Sequence, residues 1–482
     1  MATAIPTNDA AFTLEELARV TAATVLRART VGVHGVCTDS RVVQPGNAFV
    51  ALVGERFDGH LHAAEAAAKG ARALIVAHDV EASLGPAVLR VDDTTRALGD
   101  LGRAHRRRWS ALPHPRPRRL VAITGSAGKT TTRRAIAALT AHLGASVHAA
   151  EGNLNNAIGV PMVLFGLAAR HDLAVVEIGT SSPGEIAHGA SIAEPDVAVL
   201  TLVAAAHTEG LGTLDDVARE KGALLAAVPA GGALVVNGDD ARALAQASRS
   251  ASKRLVTYGV GDACDVRLLA RVVDGVAGAA LRVTLDGREL ALRTPLLGIA
   301  GAYATLAAIA TARALGEVFD GDALTDAFAS LAHTSDARLA PLSLSDGTLV
   351  IDDSYNANRA SVCASLDAAA EIAAARGARF VAVLGEMREL GALAASEHDA
   401  VGERVVALRP AALIGVSGDA ARVADLARAG GVDAIFVRDA AAAIDEVTRR
   451  VRPGDVVLVK GSRGVGLEAV VRALTAKIGT RP

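Results

Sequence analysis

The spacing of hydrophobic positions divides the chain into regions of different character. From residue 120 onward, short apolar runs alternate with segments of helical length, and a second series of the same kind begins near residue 349. Such alternation is typical of parallel strands connected by helices. The apolar runs predict strands at residues 120–123, 173–178, 197–203, 233–236, 349–351, 380–384, 412–416, 434–437 and 456–460. The sequence therefore predicts an α/β protein with two separate parallel sheets.

Three further patterns complete the predicted organisation. Residues 266–294 alternate with a period of two around Asp-Gly turns, which predicts a small antiparallel meander at the edge of the first parallel sheet. The N-terminal part mixes short strands at 48–52 and 73–76 with alanine-rich helical segments, and the proline-rich residues 112–119 predict an interdomain linker. We predict three domains: a substrate-binding α/β domain (1–113), an ATP-binding domain (114–336) and a Rossmann-like domain (337–482).

Composition excludes several classes of protein. Of the 482 residues, 51% are hydrophobic, which is ample for large buried cores, and the formal net charge of −2 gives no support for a nucleic-acid or anionic-membrane partner. The three cysteines are scattered without metal-ligand spacing, as expected in a reducing compartment. No apolar run in the sequence suggests a membrane span. We expect a cytoplasmic protein without a membrane partner.

Residues 121–132 (Val-Ala-Ile-Thr-Gly-Ser-Ala-Gly-Lys-Thr-Thr-Thr) carry the clearest chemical signal. An apolar strand breaks into a turn of small residues, and a helical pattern then runs from Lys129 to Ala141. Backbone N–H groups at such a helix start favour an anion, while a lysine can neutralise phosphate and a threonine hydroxyl can reach Mg²⁺. A purely structural glycine-rich turn is the alternative. The predicted ATP-binding residues of this loop are Gly125, Ser126, Ala127, Gly128, Lys129, Thr130 and Thr131.

Other polar residues follow the predicted strands, where ligands bind in open α/β sheets. Glu177 closes one strand and is a candidate Mg²⁺ ligand, although a solvated carboxylate would look the same in the sequence. His207 follows the next strand and could reach a second metal ion, and an ordinary histidine is an equal alternative. Lys221 lies on a predicted helix, where a lysine is normally solvated. In the third domain, residues 351–358 (Ile-Asp-Asp-Ser-Tyr-Asn-Ala-Asn) form a dense polar strand end.

These motifs resemble those of the Mur ligases, the ATP-dependent amide-forming enzymes of peptidoglycan precursor synthesis. The phosphate loop at 122–131 has the Mur ligase form. Further segments resemble the branch that adds D-alanyl-D-alanine to UDP-N-acetylmuramoyl-tripeptide, and they occur in family order over nearly the whole chain. They are Thr-Asp-Ser-Arg (38–41), Phe-Asp-Gly-His (57–60), Gly-Asn-Leu-Asn-Asn (152–156), Asp-Asp-Ser-Tyr-Asn-Ala-Asn (352–358), Gly-Glu-Met-Arg-Glu-Leu-Gly (385–391) and Lys-Gly-Ser-Arg (460–463).

The resemblance implies a role for most of the candidate residues. It implies catalytic roles for Lys129, Glu177, His207 and Lys221, with Thr130 and Glu177 holding one Mg²⁺ and His207 helping to hold a second. Lys221 matches a lysine that is carbamylated in related ligases. Arg338 and Asp353 would reach ATP from the third domain. The substrate-binding residues implied are Thr38, Asp39, Ser40 and Arg41 for the uridine nucleotide, and Asn155 and Asn156 for the sugar-peptide.

The sequence also departs from the family pattern. A histidine and two asparagines expected at 300, 301 and 304 are replaced by Ala300, Gly301 and Ala304, and Leu202 stands where an asparagine is expected. Small apolar side chains cannot form hydrogen bonds with adenine or ribose. We therefore expect nucleotide affinity to depend mainly on contacts with the phosphates and Mg²⁺. On this interpretation, restoring the three family residues should lower the Michaelis constant for ATP. Arg359 and Ala337 also replace a usual proline and glycine.

Two alternatives remain at the level of sequence. Another Mur-type amino-acid ligase, either third-residue-adding or folylpolyglutamate-like, would share the phosphate loop. The Tyr-Ala-His-Thr-Pro segment of the third-residue-adding branch is absent, and a folylpolyglutamate synthase should lack residues 38–41 and 352–358. A non-catalytic ATP-binding paralogue would require Glu177 and His207 to be incidental. The sequence does not specify whether the tripeptide ends in diaminopimelate or lysine, and we expect a monomer.

Overall fold

The computed structural model describes residues 6–29, 32–54, 57–80, 85–149, 152–331 and 337–480. Each predicted domain contains one main sheet, of five, nine and six strands in chain order. This arrangement confirms the predicted α/β class. The domain limits at 113 and 336 stay predictions, and residues 332–336 beside the second limit lie outside the described residues.

The first domain is built on a mixed sheet of strand order β2-β9-β8-β5-β4, in which only the β2–β9 pair is antiparallel. The predicted strands at 48–52 and 73–76 form its centre. Its elements are β1 (Ala11–Thr13), α1 (Leu14–Thr21), β2 (Thr24–Arg27), β3 (Gly32–His34), β4 (Val36–Cys37), β5 (Ala48–Val50), β6 (Val53–Gly54), β7 (Phe57–Asp58), α2 (Ala63–Ala68), β8 (Ala73–Val76), β9 (Ala87–Arg90) and α3 (Thr94–Ala111).

The central domain has the strand order β11-β12-β10-β13-β14-β15-β16-β17-β18. The pairs are parallel from β11 to β16, and the last two are antiparallel, as predicted for the meander. Its elements are β10 (Arg119–Thr124), α4 (Lys129–His142), β11 (Val147–His148), α5 (Gly159–Phe165), β12 (Leu173–Glu177), α6 (Glu185–Ala193), β13 (Val197–Leu200), α7 (Thr208–Leu211), α8 (Leu214–Ala226), β14 (Ala233–Asn237), α9 (Ala241–Ala245), β15 (Leu255–Gly259), β16 (Val266–Val273), β17 (Ala279–Leu285), β18 (Arg288–Thr294), α10 (Gly298–Leu315) and α11 (Gly321–Ala329).

Both faces of the central sheet are buried, which explains why its strands are continuously apolar rather than alternating. On β10, Val121 and Ile123 join a core formed with α4, α10 and α11. Leu120 and Ala122 face the opposite side and pack with α5, α6 and α8. Trp109 of α3 is 1% exposed in this second core, so the helix that precedes the linker is anchored on the central domain.

The third domain has the strand order β19-β20-β24-β21-β22-β23, in which all pairs but β19–β20 are parallel. All five predicted strands of this region are present. Its elements are β19 (Ala340–Ser343), β20 (Leu349–Asp353), α12 (Arg359–Arg376), β21 (Phe380–Gly385), α13 (Ala394–Leu408), β22 (Ala412–Val416), α14 (Ala420–Ala429), β23 (Ala434–Val437), α15 (Ala440–Arg450), β24 (Val456–Lys460) and α16 (Glu468–Ile478).

Among the described residues, one helix, α10, is long and apolar enough to cross a membrane. This finding differs from the prediction that no apolar run suggests a membrane span. However, 67% of that span is buried inside the protein. It packs against α4 on one side and against α12 of the third domain on another. Its apolar character is explained by its position between the central sheet and a neighbouring domain.

The start of α10 leaves no room for one of the missing family side chains. A Cβ atom on Gly301 would lie 2.6 Å from the carbonyl carbon and oxygen of Leu296, which is too close for any real contact. Only glycine fits there without a backbone shift. Restoring an asparagine at this position would therefore require a shift of the backbone at the start of α10.

We predict that Gly301→Ala lowers the free energy of unfolding by about 1–3 kcal/mol, although a helical glycine normally gains stability on replacement by alanine. Gly99→Ala in α3 is the matched control, since its Cβ would meet mainly the terminal methyl of Ile192. Urea denaturation of both variants measures the difference. Equal stability of the two variants would contradict this account of α10.

Candidate active site

A cavity of about 710 Å³ opens between the central and third domains. It lies beyond the carboxyl ends of the parallel strands, where ligands bind in such sheets. Residues of the phosphate loop, Glu177, His207 and the first turns of α10 form one wall, and residues of the third domain from Arg338 to Lys460 form the other. Among the described residues, no lining side chain comes from the first domain. The cavity thus contacts most of the predicted ATP site.

The phosphate loop is shaped by contacts with the segment after β13. Ser126 N–H donates to Leu202 O at 2.9 Å, and the Thr201 hydroxyl donates to Ala127 O at 2.6 Å. The apolar run predicted a strand up to residue 203, but β13 ends at Leu200 because the next residues make these bonds. Gly125 has φ +152°, and its Cβ would lie 1.8 Å from the Thr201 hydroxyl.

The cationic side of the loop begins at the first residue of α4. Gly128, with φ 82°, turns the chain into the helix. Lys129 Nζ donates to Gly125 O at 2.8 Å and so lies across the loop. Burial lowers the pKa of Lys129, an effect that Glu177 opposes. The loop therefore places Lys129 beside the first backbone N–H groups of α4, an arrangement that favours an anion.

Thr130 and Glu177 are brought together next to this loop. The Thr130 hydroxyl donates to one Glu177 oxygen at 3.0 Å, and the other oxygen accepts from Arg133 Nε at 2.8 Å. Both predicted metal ligands are buried. A hydroxyl and a carboxylate beside a phosphate site are the hard oxygen donors that Mg²⁺ prefers, so these residues fit the ion. Arg133, which the sequence did not single out, fixes the carboxylate.

Lys221 is 1% exposed on α8, whereas a helical lysine is normally solvated. Its side chain points into the domain because α8 packs against β13. Burial first and the charge of Lys129 second hold the pKa of Lys221 well below its usual range. It makes no ion pair with any residue that the structure describes. A buried amine of low pKa is the form that reacts with CO₂.

His207 is joined to the third domain. Its Nδ1 is hydrogen-bonded to a carboxylate oxygen of Glu389. Burial lowers the pKa of His207, while the charge of Glu389 and this hydrogen bond raise it. His207 lines the cavity as predicted, and Glu389 is a site residue that sequence reasoning missed.

The third domain contributes further charged groups to the cavity. Arg338 stacks on the Tyr355 ring, with its guanidinium carbon 4.2 Å from the ring centre. Asp353, predicted to meet ATP, lines the cavity and accepts from Lys460 at 2.6 Å and from the Ser365 hydroxyl. Lys460 was missed as a site residue, although the motif at 460–463 was recognised, because its partner is distant in sequence.

One hydrogen bond joins the third domain to the phosphate loop itself. Asn358 Nδ2 donates to Ser126 O at 3.0 Å, while its carbonyl oxygen caps α12. The predicted polar strand end at 351–358 therefore contacts the nucleotide loop across the domain boundary. This bond therefore links the position of the third domain to the conformation of the phosphate loop.

The start of α10, where the family resemblance implies adenine recognition, differs in one respect from the sequence expectation. Ala300 and Ala304 line it, as expected, but Tyr303 lines it too and its hydroxyl donates to Asp239 at 2.6 Å. Burial and this bond raise the pKa of Tyr303. Asp239 follows β14, so its place at a strand end was a signal that could have identified it.

The predicted substrate residues fall into two groups. Asn155 and Asn156 line the cavity. Thr38, Asp39, Ser40 and Arg41 lie together in the first domain, outside the cavity. There Asp39 and Arg41 form an ion pair, and Ser40 donates to Glu65 at 2.7 Å. The structure therefore does not bring the predicted uridine residues to the phosphate loop.

Two residues of the motif at 57–60, Asp58 and His60, form a potential metal cluster with His78. However, His60 Nδ1 is bonded to Asp58 at 2.6 Å, and His60 Nε2 accepts from Ala77 N at 2.8 Å. Both ring nitrogens of His60 are thus already engaged. The cluster is accounted for as a hydrogen-bond network.

A strand, phosphate loop and helix facing a second α/β domain define a nucleotide-dependent enzyme with its active site at a domain boundary. Comparison with protein families specifies this class further. The model of the Mur ligase middle domain matches residues 123–312, that of the Mur ligase glutamate ligase domain matches 337–463, and that of the Mur ligase family catalytic domain matches 32–106. The chain belongs to the Mur ligase family.

Similar proteins place it at the MurF type of the family. It is 35% identical to UDP-N-acetylmuramoyl-tripeptide–D-alanyl-D-alanine ligase of Escherichia coli K12, over 93% of this chain and 95% of that protein. The crystal structure of MurF from Acinetobacter baumannii superposes with a TM-score of 0.85 at 28% identity, covering 97% of this chain and 99% of that one. MurF ligase from Thermotoga maritima, solved in complex with ADP, has a TM-score of 0.79 at 26% identity, covering 92% and 97%.

We predict that Gly125→Ala abolishes nucleotide binding, because the new methyl group would collide with the Thr201 hydroxyl at a backbone angle that alanine avoids. Gly128→Ala is the control, since the nearest atom to its Cβ is 3.9 Å away. It should keep measurable binding at a cost of about 1 kcal/mol. Calorimetric titration with ADP distinguishes them, and equal affinities would contradict this description of the loop.

We predict that Lys221→Met raises the melting temperature at pH 7 in CO₂-free buffer. Because the folded-state pKa of Lys221 is lowered, the unfolded state binds more protons in the range between that pKa and the usual value of about 10.4. The lysine therefore destabilises the fold at pH 7, and the gain on substitution should shrink as pH rises toward 10. A lower melting temperature for the variant at pH 7 would contradict the burial of an uncompensated amine.

Proposed function

We propose that this chain joins D-alanyl-D-alanine to UDP-N-acetylmuramoyl-tripeptide with conversion of ATP to ADP and phosphate. The carrying observation is the phosphate loop at Gly125–Thr131 facing Arg338 and Lys460 across a single cavity. The similar proteins over more than nine-tenths of the chain are ligases of this name. The looser likeness to FolC of E. coli, at 17% identity and a TM-score of 0.55, concerns the fold alone.

The reaction needs activation because a carboxylate is a poor electrophile. An oxygen of the tripeptide's terminal carboxylate attacks the γ-phosphorus of ATP, the bond to the β-phosphate oxygen breaks, and ADP leaves. The amine of D-alanyl-D-alanine then attacks the acyl carbon, the nitrogen loses a proton, and phosphate departs as the amide forms. Catalysis of such steps depends mainly on positioning and on neutralising developing charge.

The phosphate loop supplies this neutralisation. Lys129 lies across the loop, where it would neutralise the β- and γ-phosphates, and the first N–H groups of α4 would bind the same anion. Thr130 and Glu177 would hold one Mg²⁺ and His207 would help to hold a second. When bound, these ions neutralise phosphate charge. Arg338 approaches from the third domain.

Lys221 is proposed to act as a carbamate. The neutral amine adds to CO₂ with loss of a proton, which converts a buried cation into a carboxylate-like group. This change would supply the negative charge that a second Mg²⁺ requires near His207. Its burial and lowered pKa support the assignment.

The substrates are proposed to bridge two domains. Residues 38–41 would hold the uridine nucleotide in the first domain, and Asn155 and Asn156 would contact the sugar-peptide at the cavity. Because these groups lie apart, the nucleotide-sugar must extend between them or the first domain must move. We propose a monomer that works in the cytoplasm.

We predict that Lys129→Ala lowers kcat by at least about 100-fold, because the loop keeps its N–H groups but loses its mobile cation. Lys477→Ala, on an exposed part of α16, is the control and should leave turnover unchanged. Steady-state release of phosphate measures both. Near-normal turnover of Lys129→Ala would show that the phosphate site is misplaced.

The direct test of function measures phosphate release with ATP, UDP-N-acetylmuramoyl-tripeptide and D-alanyl-D-alanine, omitting each in turn. Release is expected only with all three, and tripeptides ending in diaminopimelate and in lysine are compared. Activity with a free amino acid on a dipeptide or folate acceptor would instead indicate another Mur-type ligase. ATP binding without release under every condition would indicate a non-catalytic paralogue.

A further inference from the structure

The central and third domains are joined by three hydrogen bonds at the rim of the cavity. His207 Nδ1 bonds to the Glu389 carboxylate, the Thr208 hydroxyl donates to Leu390 O at 2.9 Å, and Glu209 N–H donates to Glu389 O at 3.1 Å. The two short segments that meet here come from opposite walls of the active site. A displacement of the third domain would break all three bonds together.

Both partners of the side-chain bond have an unusual backbone. His207 has φ 58° and Glu389 has φ 63°, in the left-handed region that residues other than glycine rarely occupy. Next to them, a Cβ on Gly391 would lie 3.1 Å from the Glu209 Cα, so the chains are in close contact. Such conformations persist where the surroundings determine them, and they cluster at functional sites.

Among the described residues, Glu389 is the hydrogen-bond partner of the His207 ring. When Nδ1–H donates to a carboxylate, the lone pair of Nε2 is left for a metal ion. Histidine ligands in metal sites commonly donate their second ring nitrogen in this way.

We propose that Glu389 is a positioning residue, which orients His207 toward a divalent cation only while the third domain is closed on the central domain. The proposal rests on the proposed function, because it assumes a metal at His207. It makes completion of one metal site depend on a residue from the other side of the cavity. Closure of the third domain and binding of the second cation would then be coupled.

The test measures Mn²⁺ binding by electron paramagnetic resonance in the presence of ADP and without the other substrates. Glu389→Ala should weaken one Mn²⁺ by about tenfold and leave a second unchanged. His207→Ala should give the same loss, and adding Glu389→Ala to it should have no further effect. Glu389 is more than half exposed, so the variant is expected to fold, and circular dichroism checks this.

Glu371→Ala is the matched control. Glu371 on α12 pairs with Arg271 on β16 at 2.9 Å, which joins the same two domains away from the cavity. It should leave both Mn²⁺ affinities unchanged. Equal losses from Glu389→Ala and Glu371→Ala, or additive losses with His207→Ala, would overturn the positioning role in favour of simple domain contact. Because no substrate turnover is measured, an active ligase with unaltered Mn²⁺ binding would refute this inference and leave the proposed function standing.

Discussion

The crowding of two lysines, Lys129 and Lys221, beside the phosphate loop is the constraint on which this candidate active site depends. Lys129 lies across the phosphate loop, Lys221 is enclosed on α8, and the charge of Lys129 lowers the pKa of Lys221. Glu177, the carboxylate that raises the pKa of Lys129, is already shared between Thr130 and Arg133. Isolated buried charges are costly, so the site is stabilised by an anion that enters it. A nucleoside triphosphate, with its phosphates over the loop, has the required charge.

The second wall of the cavity explains why the protein needs a third domain. Asn358 bonds the phosphate loop, Glu389 bonds His207, and the Asp353–Lys460 pair places another ammonium group beside the cavity. Each contact joins residues more than a hundred positions apart in the sequence. The strand ends of the two sheets therefore meet at one cavity, where we propose that the chemistry occurs.

The sequence predicted those features that depend on local pattern. Apolar runs located most central and all five parallel-series strands of the third domain, and the loop at 125–131 was identified from an apolar strand, a turn of small residues and the Lys-Thr-Thr that follows. Contacts between residues far apart in the sequence left no local signal, which is why Glu389 and the pairing of Lys460 were missed. Asp239 was missed although its position after β14 was such a signal. The burial of Lys221 depends on the packing of α8 against β13, and the lack of room at Gly301 depends on the preceding turn. Neither can be inferred from helical periodicity.

The central claim, that phosphates rather than the base carry nucleotide affinity, is tested most directly by thermal unfolding with separate parts of the ligand. The melting temperature would be measured with adenosine, tripolyphosphate, ADP and ATP at equal concentration and fixed ionic strength. Tripolyphosphate should stabilise the protein nearly as much as ATP, and adenosine should have little effect. Stabilisation by adenosine equal to that by ADP, with none from tripolyphosphate, would show that Tyr303 and Asp239 dominate binding and would contradict the account.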